Sequence, residues 1–173
     1  FQWNDAVFRS TVLFTLLFAF VAVSEEFFAR GYVQGLIKYH FGTWPALAVT
    51  SLLFAALHTL NPGAFAGPLP ILNLFLAGLL LGVSKEVSGS LWMPIGFHFT
   101  WNLFQGSVFG FPVSGMQVAS VVVLETAGSD LVSGGGFGAE GSVLTTVILL
   151  AGTILLYRLY PRRPREMSPQ PQD

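Results

Sequence analysis

The chain has 173 residues, of which 53% are hydrophobic and only 10% are charged, and its formal net charge is −1. Soluble domains carry about 25% charged residues, so this composition, with 17 Phe and four Trp, predicts an all-α, polytopic transmembrane helix bundle. The near-zero net charge argues against a nucleic-acid partner, and the lack of cysteine excludes disulfides, thiolate metal ligands and a cysteine nucleophile.

Five apolar segments are predicted as membrane helices, because each is near the ~20 residues that cross a bilayer core. The second segment is closed by Asn61-Pro62-Gly63, a strong turn signal. The third is short for a membrane span. In chain order the segments cover Val7 to Lys38, then 43–60, 70–84, 90–110 and 142–160.

A long connection, 111–141, separates the last two segments. Its apolar piece MQVASVVVLE is too short to span and is predicted to be interfacial or re-entrant, and a Gly-rich piece, SGGGFGAEGS, follows. We therefore expect a helical domain over 1–160 and a Pro-rich, disordered tail over 161–173. Because the sequence starts at Phe1 without a signal peptide, we also expect further helices upstream in a longer protein.

Basic residues mark alternate ends of the five segments, with Arg9 as an exception at the opposite end. The positive-inside rule then predicts that these ends and the C-terminus are cytoplasmic. His40, in IKYHFGTW, is predicted to be a loop residue at such an end. The basic residues are Lys38, Lys85, Arg158, Arg162, Arg163 and Arg165.

Three pairs of glycines are spaced four residues apart, as in membrane helices that approach one another closely. We interpret them as packing positions with no part in function. The pairs are Gly31 and Gly35, Gly78 and Gly82, and Gly106 and Gly110.

Three ionisable residues interrupt the first segment, in AVSEEFFARGYVQGL. Each costs at least about 2.5 kcal/mol at membrane depth unless it has a partner. Glu26 and Arg30 are spaced i,i+4 in the favourable order, which predicts an ion pair. Glu25 points about 100° away on the helix and has no basic partner at these spacings. We expect Glu25 to face a polar interior or to be protonated.

Two histidines and an asparagine supply such an interior. His58 ends FAALH, and His98 and Asn102 lie one helical turn apart in GFHFTWN. At about 1.5 Å per residue from the predicted cytoplasmic ends, Glu25, His58 and Asn102 lie roughly 18–22 Å deep. His98 lies at roughly 12 Å on the same count. The four residues are therefore predicted to meet in one buried layer.

A carboxylate beside a neutral imidazole can take a proton from a water that attacks a carbonyl, and donors such as His98 and Asn102 can hold the resulting oxyanion. The set predicts peptide-bond hydrolysis by a glutamate-activated water. A zinc ion held by Glu25, His58 and His98, with Glu26 as the base, is an alternative, although the sequence has no HExxH motif. No GxSxG motif indicates a serine nucleophile.

The same residues carry a family resemblance. EEFFAR fits an EExxxR motif, FAALH an FxxxH motif and HFTWN an HxxxN motif, in that order on successive segments. The chain thereby resembles the CPBP family of intramembrane proteases. This family includes CAAX prenyl endopeptidases and bacterial bacteriocin-processing or abortive-infection proteins.

The resemblance implies a helical intramembrane bundle, commonly with more than five helices, in a prokaryotic plasma membrane. It implies that Glu25 and His58 activate water, that His98 and Asn102 hold the oxyanion, and that Glu26 and Arg30 support the site. It favours a metal-free reaction, so no cofactor is expected. Membrane lipid and a peptide or protein substrate, lipidated or membrane-anchored, are the implied partners.

Two other functions fit parts of the sequence. A non-catalytic membrane binding or scaffold protein could keep the same fold and motifs. A proton-coupled carrier could use intramembrane Glu, His and Arg as a relay, although no inverted internal repeat is visible.

Overall fold

The computed structural model describes residues 4–125 and 128–159, and this part of the chain is helical, with no β-strand. Helix α1, Asp5–Glu26, continues through a π-helical turn, Phe27–Val33, into α2, Gln34–Phe41. The side chain of Asn4 caps the first turn by accepting from the Val7 amide at 3.0 Å. The continuous helix ends where Gly42 adopts a φ of +89°.

The rest of the chain forms shorter helices joined by turns. Pro68 begins α4, where its missing amide hydrogen is tolerated, and Gly89 ends it in the left-handed conformation. The elements are α3, Thr43–Leu57, with a 3₁₀ turn, His58–Leu60; α4, Pro68–Ser88; α5, Trp92–Asn102, with a π-helical turn, Leu103–Val108; α6, Asp130–Ser133; and α7, Val143–Leu159.

The prediction of an all-α membrane protein is confirmed, and each of the five apolar segments is helical. Three stretches of the described chain are long and apolar enough to cross a membrane: Asp5–Phe41, Thr43–Leu60 and Pro68–Ser88. The apolar helix Val143–Arg158 is shorter. Length and composition therefore support three crossings within the described residues, two fewer than predicted.

The first helix and α4 run parallel, because polar side chains four residues apart on one bond to positions four residues apart on the other. We call these three hydrogen bonds the parallel-helix contacts. They keep a constant offset of 48 residues: Arg30 Nη2 to the Gly78 carbonyl at 3.1 Å, Gln34 Nε2 to the Gly82 carbonyl at 3.2 Å, and Lys38 Nζ to Glu86 Oε2.

Gly78 and Gly82 are packing positions, as predicted. A Cβ at Gly78 would lie 2.8 Å from Ser51 Cα, and one at Gly82 would lie 2.7 Å from Leu47 Cδ2. Helices α3 and α4 can approach this closely only because these residues have no side chain. A Cβ added at Gly35 would have no neighbouring atom within 4 Å, so the interpretation as a packing position is wrong for this residue.

Three of the described basic residues, Lys38, Lys85 and Arg158, lie near one end of the bundle, whereas Arg9 lies near the start of α1 and Arg30 is buried. Lys38 pairs with Glu86 near the end of α4, and Trp44 packs on Tyr157 with ring centroids 6.0 Å apart. The ends of α2, α4 and α7 therefore meet there with the start of α3. That this end is cytoplasmic remains a prediction, and the tail 161–173 with its three arginines lies outside the described residues.

His40 is not a loop residue. It lies in the last turn of α2, because the helix continues to Phe41 before Gly42 ends it. Its ring meets Tyr39 edge-on at 5.0 Å. The apolar piece 116–125 forms no helix and folds back against the end of the second π-helical turn, where the Val121 amide donates to the Ser107 carbonyl at 2.9 Å.

The close approach of α3 and α4 is testable by adding one methyl group. Gly78→Ala should lower the free energy of unfolding by about 1–3 kcal/mol, because the new Cβ meets backbone atoms of Ser51 that cannot move aside. Thermal unfolding in detergent measures the change. Gly35→Ala is the matched control and should be neutral or slightly stabilising. Equal effects of both variants would contradict close packing at Gly78.

Candidate active site

A cavity of about 790 Å³ lies among α1, α3, α4, α5 and α7 and is also lined by the connection 111–141. Most of its lining is apolar. The four residues predicted to act on substrate line this one cavity: Glu25, His58, His98 and Asn102.

The two adjacent glutamates have different surroundings. Neighbouring side chains on a helix diverge by about 100°, and here Glu25 lines the cavity half-buried while Glu26 is completely buried. Within the described chain no residue forms a hydrogen bond or ion pair with Glu25. Its carboxylate is therefore available to a water or substrate.

Glu26 joins two helices through one oxygen. Its Oε1 accepts from Arg30 Nη1 at 2.9 Å and from His98 Nδ1 at 3.0 Å. The Glu26–Arg30 ion pair predicted from the sequence is present, with both side chains fully buried. The π-helical turn that contains Arg30 begins at the next residue, Phe27. Two charges can be buried here because each is paired and hydrogen-bonded.

His58 is held in one tautomer. The tightening of α3 into a 3₁₀ turn directs the His58 amide to the Ala55 carbonyl, and His58 Nδ1 lies 2.8 Å from the Phe54 carbonyl oxygen. Since a carbonyl oxygen only accepts, Nδ1 carries the proton. In the neutral ring, Nε2 is then the acceptor, and it is the nitrogen left for a water or a proton.

Phe54 contacts three of the polar groups, and the sequence interpretation assigned it no place in the site. Its ring centroid lies 4.5 Å from that of His58 and 5.8 Å from that of His98. The Arg30 guanidinium carbon lies 4.7 Å above the same ring, a cation–π distance. The sequence signal that could have placed Phe54 in the site was its position as the Phe of the FxxxH motif, one turn before His58.

His98 and Asn102 are buried on α5, one turn apart. Because Glu26 is paired with Arg30 and ionised, it only accepts, so His98 Nδ1 donates to it. His98 Nε2 can then donate only if the ring is an imidazolium. Within the described chain Asn102 donates to no other residue, which leaves its amide free for a ligand in the cavity.

The three candidate zinc ligands do not form a metal-binding group. Among the residues the structure describes, no three His, Asp or Glu side chains are close enough together to hold a metal ion. Both histidines also use Nδ1 for a hydrogen bond, which leaves only Nε2 of each as a ligand. We therefore derive no step through zinc, and its use at Glu25, His58 and His98 remains a prediction.

Apolar helices around a cavity with intramembrane Glu, His and Asn define an integral membrane protein with a buried polar site. A family model for type II CAAX prenyl endopeptidase Rce1-like proteins matches residues 7–104, more than half of the 173-residue chain. The chain belongs to this family, which confirms the resemblance seen in the sequence. The match contains all three motifs.

The chain is also similar to a curated protein of Escherichia coli, named an uncharacterized 24.3 kDa protein. The two are 33% identical over 91 residues, which cover 50% of this chain and 40% of that protein. The chain thus spans less than half the length of this relative. No solved structure matches the chain.

The buried ion pair between Glu26 and Arg30 leads to a prediction about stability. Arg30→Met should lower the free energy of unfolding by about 3–5 kcal/mol, because it leaves the Glu26 charge buried without its cation. The double variant Glu26→Gln/Arg30→Met should recover part of this loss. Denaturant unfolding in detergent measures both.

Lys38→Met is the matched control for loss of a cation. Its ion pair with Glu86 is partly exposed, so the expected cost is about 0–1 kcal/mol. A cost for Arg30→Met no larger than that for Lys38→Met would show that the buried pair is not needed for stability.

Proposed function

We propose that this protein is an intramembrane endopeptidase in which Glu25 activates a water molecule to hydrolyse a peptide bond. The observation that supports this most strongly is the cavity: Glu25, His58, His98 and Asn102 come from three helical segments and line it together. Membership in a family of prenyl endopeptidases supports the same reaction. A non-catalytic binding protein would not need an unpaired carboxylate that lines the same cavity as a histidine held in one tautomer.

In the first step, Glu25 acts as the general base. It takes one proton from a water whose other hydrogen-bond partner is His58 Nε2, and the water oxygen attacks the carbonyl carbon of the substrate. The Phe54 carbonyl fixes the His58 ring so that Nε2 is the acceptor. Most of the cavity lining is apolar, and interactions between charges are stronger in such surroundings than in water.

In the second step, the oxyanion of the tetrahedral intermediate is held by the side-chain amide of Asn102 and by His98. His98 donates from Nε2 as the imidazolium, whose positive charge is stabilised by the Glu26 carboxylate at 3.0 Å. The carbon–nitrogen bond then breaks, and Glu25 returns its proton to the leaving amine. Water has been added across the bond and Glu25 is again a carboxylate.

We propose that the substrate is a membrane-anchored or lipidated peptide or protein, since the cavity lies among apolar helices and most of its lining is apolar. No cofactor is needed for this reaction. The positions of Lys38, Lys85 and Arg158 at one end of the bundle support a cytoplasmic placement of that end in a prokaryotic plasma membrane.

The test is cleavage of a library of lipidated and membrane-tethered peptides by the purified protein. Glu25→Gln and Glu25→Ala should each lower the cleavage rate by at least about 10²-fold, because the general base is lost. Wild-type activity should persist in a strong chelator. Glu125→Gln is the matched control, since Glu125 is exposed and does not line the cavity.

Three outcomes decide between the alternatives. Activity lost both in Glu25→Ala and in chelator would favour the zinc mechanism. Full activity of Glu25→Ala would contradict the assignment of the base. A folded wild type that captures tethered peptides but cleaves none would favour a non-catalytic binding protein.

A further inference from the structure

A tight hairpin in the connection 111–141 contributes to the cavity. Val113 and Met116 exchange two backbone hydrogen bonds of 2.9 Å. The two residues between them, Ser114 and Gly115, have φ angles of +46° and +81°, as in a type I′ turn. We call residues 113–116 the Ser114 hairpin. Because a positive φ is unfavourable for serine, other contacts must hold it.

Glu140 provides those contacts. Both the amide and the hydroxyl of Ser114 donate to Glu140 Oε2, at 2.6 and 2.8 Å. The Ser114 side chain is only 5% exposed. The hairpin also lies against the turn that follows His58, since a Cβ at Gly115 would come within 1.9 Å of the Pro62 carbonyl oxygen. The Glu140 carboxylate is thus held in place beside the cavity.

The Glu140 charge has no counter-ion in the described part of the chain. Ser114 and Glu140 both line the cavity. In the described part of the chain, the only carboxylates that form ion pairs are those of Glu26 and Glu86. Both hydrogen bonds to Glu140 go to Oε2, and no described residue donates to Oε1. Glu140 is partly exposed and lines the cavity, so a cation that enters the cavity can form a charge-assisted hydrogen bond with its carboxylate.

From this arrangement we propose that Glu140 is a specificity-determining residue that binds a cationic side chain of the substrate. The substrate class is an apolar, membrane-associated peptide with a Lys or Arg near the bond that is cut. This inference rests on the proposed endopeptidase function. Ser114 and Glu140 lie beyond residues 7–104, so the subsite is outside the segment that the family model matches.

The first experiment measures binding without cleavage. Fluorescent apolar peptides that differ at one position, Lys, Gln or Glu, are titrated onto Glu25→Gln protein in nanodiscs. The Lys peptide should bind about tenfold more tightly than the Gln peptide, as expected for a charge-assisted hydrogen bond. The Glu peptide should bind more weakly than either.

The second experiment adds Glu140→Gln to the same protein. The glutamine oxygen can still accept from Ser114, so the hairpin should be retained while the charge is removed. The Lys-to-Gln affinity ratio should fall to about one. Glu125→Gln, which removes an exposed carboxylate away from the cavity, should leave the ratio unchanged. Melting temperature reports whether each variant is folded.

The outcomes separate the two proposals. Equal binding of Lys and Gln peptides to the Glu25→Gln protein overturns the subsite, and this needs no change at Glu140. A wild-type charge preference in folded Glu140→Gln overturns it as well and would make Glu140 a purely structural partner of Ser114. A preference for the Lys peptide that is lost only in Glu140→Gln supports the subsite, whether or not the wild-type protein cleaves the peptides. Absence of cleavage by the wild-type protein would count against the endopeptidase function alone.

Discussion

The buried Glu26 carboxylate is the interaction on which the site depends. Removing a carboxylate from water costs several kcal/mol, and Glu26 is completely buried. Its Oε1 is shared by Arg30, which continues to the Gly78 carbonyl, and by His98 on α5. One oxygen therefore connects the first helix, α4 and α5. The same oxygen accepts from His98 Nδ1, so the burial of this charge and the orientation of the His98 ring depend on one group.

The two π-helical turns explain how straight apolar helices carry so many polar residues. One begins directly after Glu26, and the other directly after Asn102. In each, an amide bonds to a carbonyl five residues back, as Gln34 does to Ala29 and Phe109 to Phe104. Such turns are rare and frequently occur at functional sites. Here each begins directly after a buried polar residue of the site.

Much of the helical fold could be predicted, because membrane helices are specified by long apolar runs in one stretch of sequence. The Glu26–Arg30 pair was also predictable, since four-residue spacing is local information. Depth counting placed Glu25, His58, His98 and Asn102 in one layer, because depth follows from position along a helix, and the four residues line one cavity. The extent of α2 at His40 was missed because Gly42, and not Lys38, ends the helix.

Contacts between distant parts of the chain could not be predicted. Ser114 and Glu140 are 26 residues apart, and they meet through the fold of a glycine-rich connection that has no periodic pattern. Gly35 and Gly78 have the same small-residue spacing, yet only Gly78 faces a neighbouring helix. Spacing identifies which residues share a face, but it does not identify what that face packs against.

The parallel-helix contacts have a mechanical consequence. Because all three share the same offset of 48 residues, an axial shift of one helix along the other by a single residue would misalign every contact at once. The first helix and α4 therefore resist sliding as a rigid frame. Helix α7 is held to this frame at both ends, by the bond from Thr146 to Asn73 near its start and by the packing of Leu156 and Tyr157 near its end. The wall that α7 gives the cavity is therefore fixed to the same frame that holds Arg30.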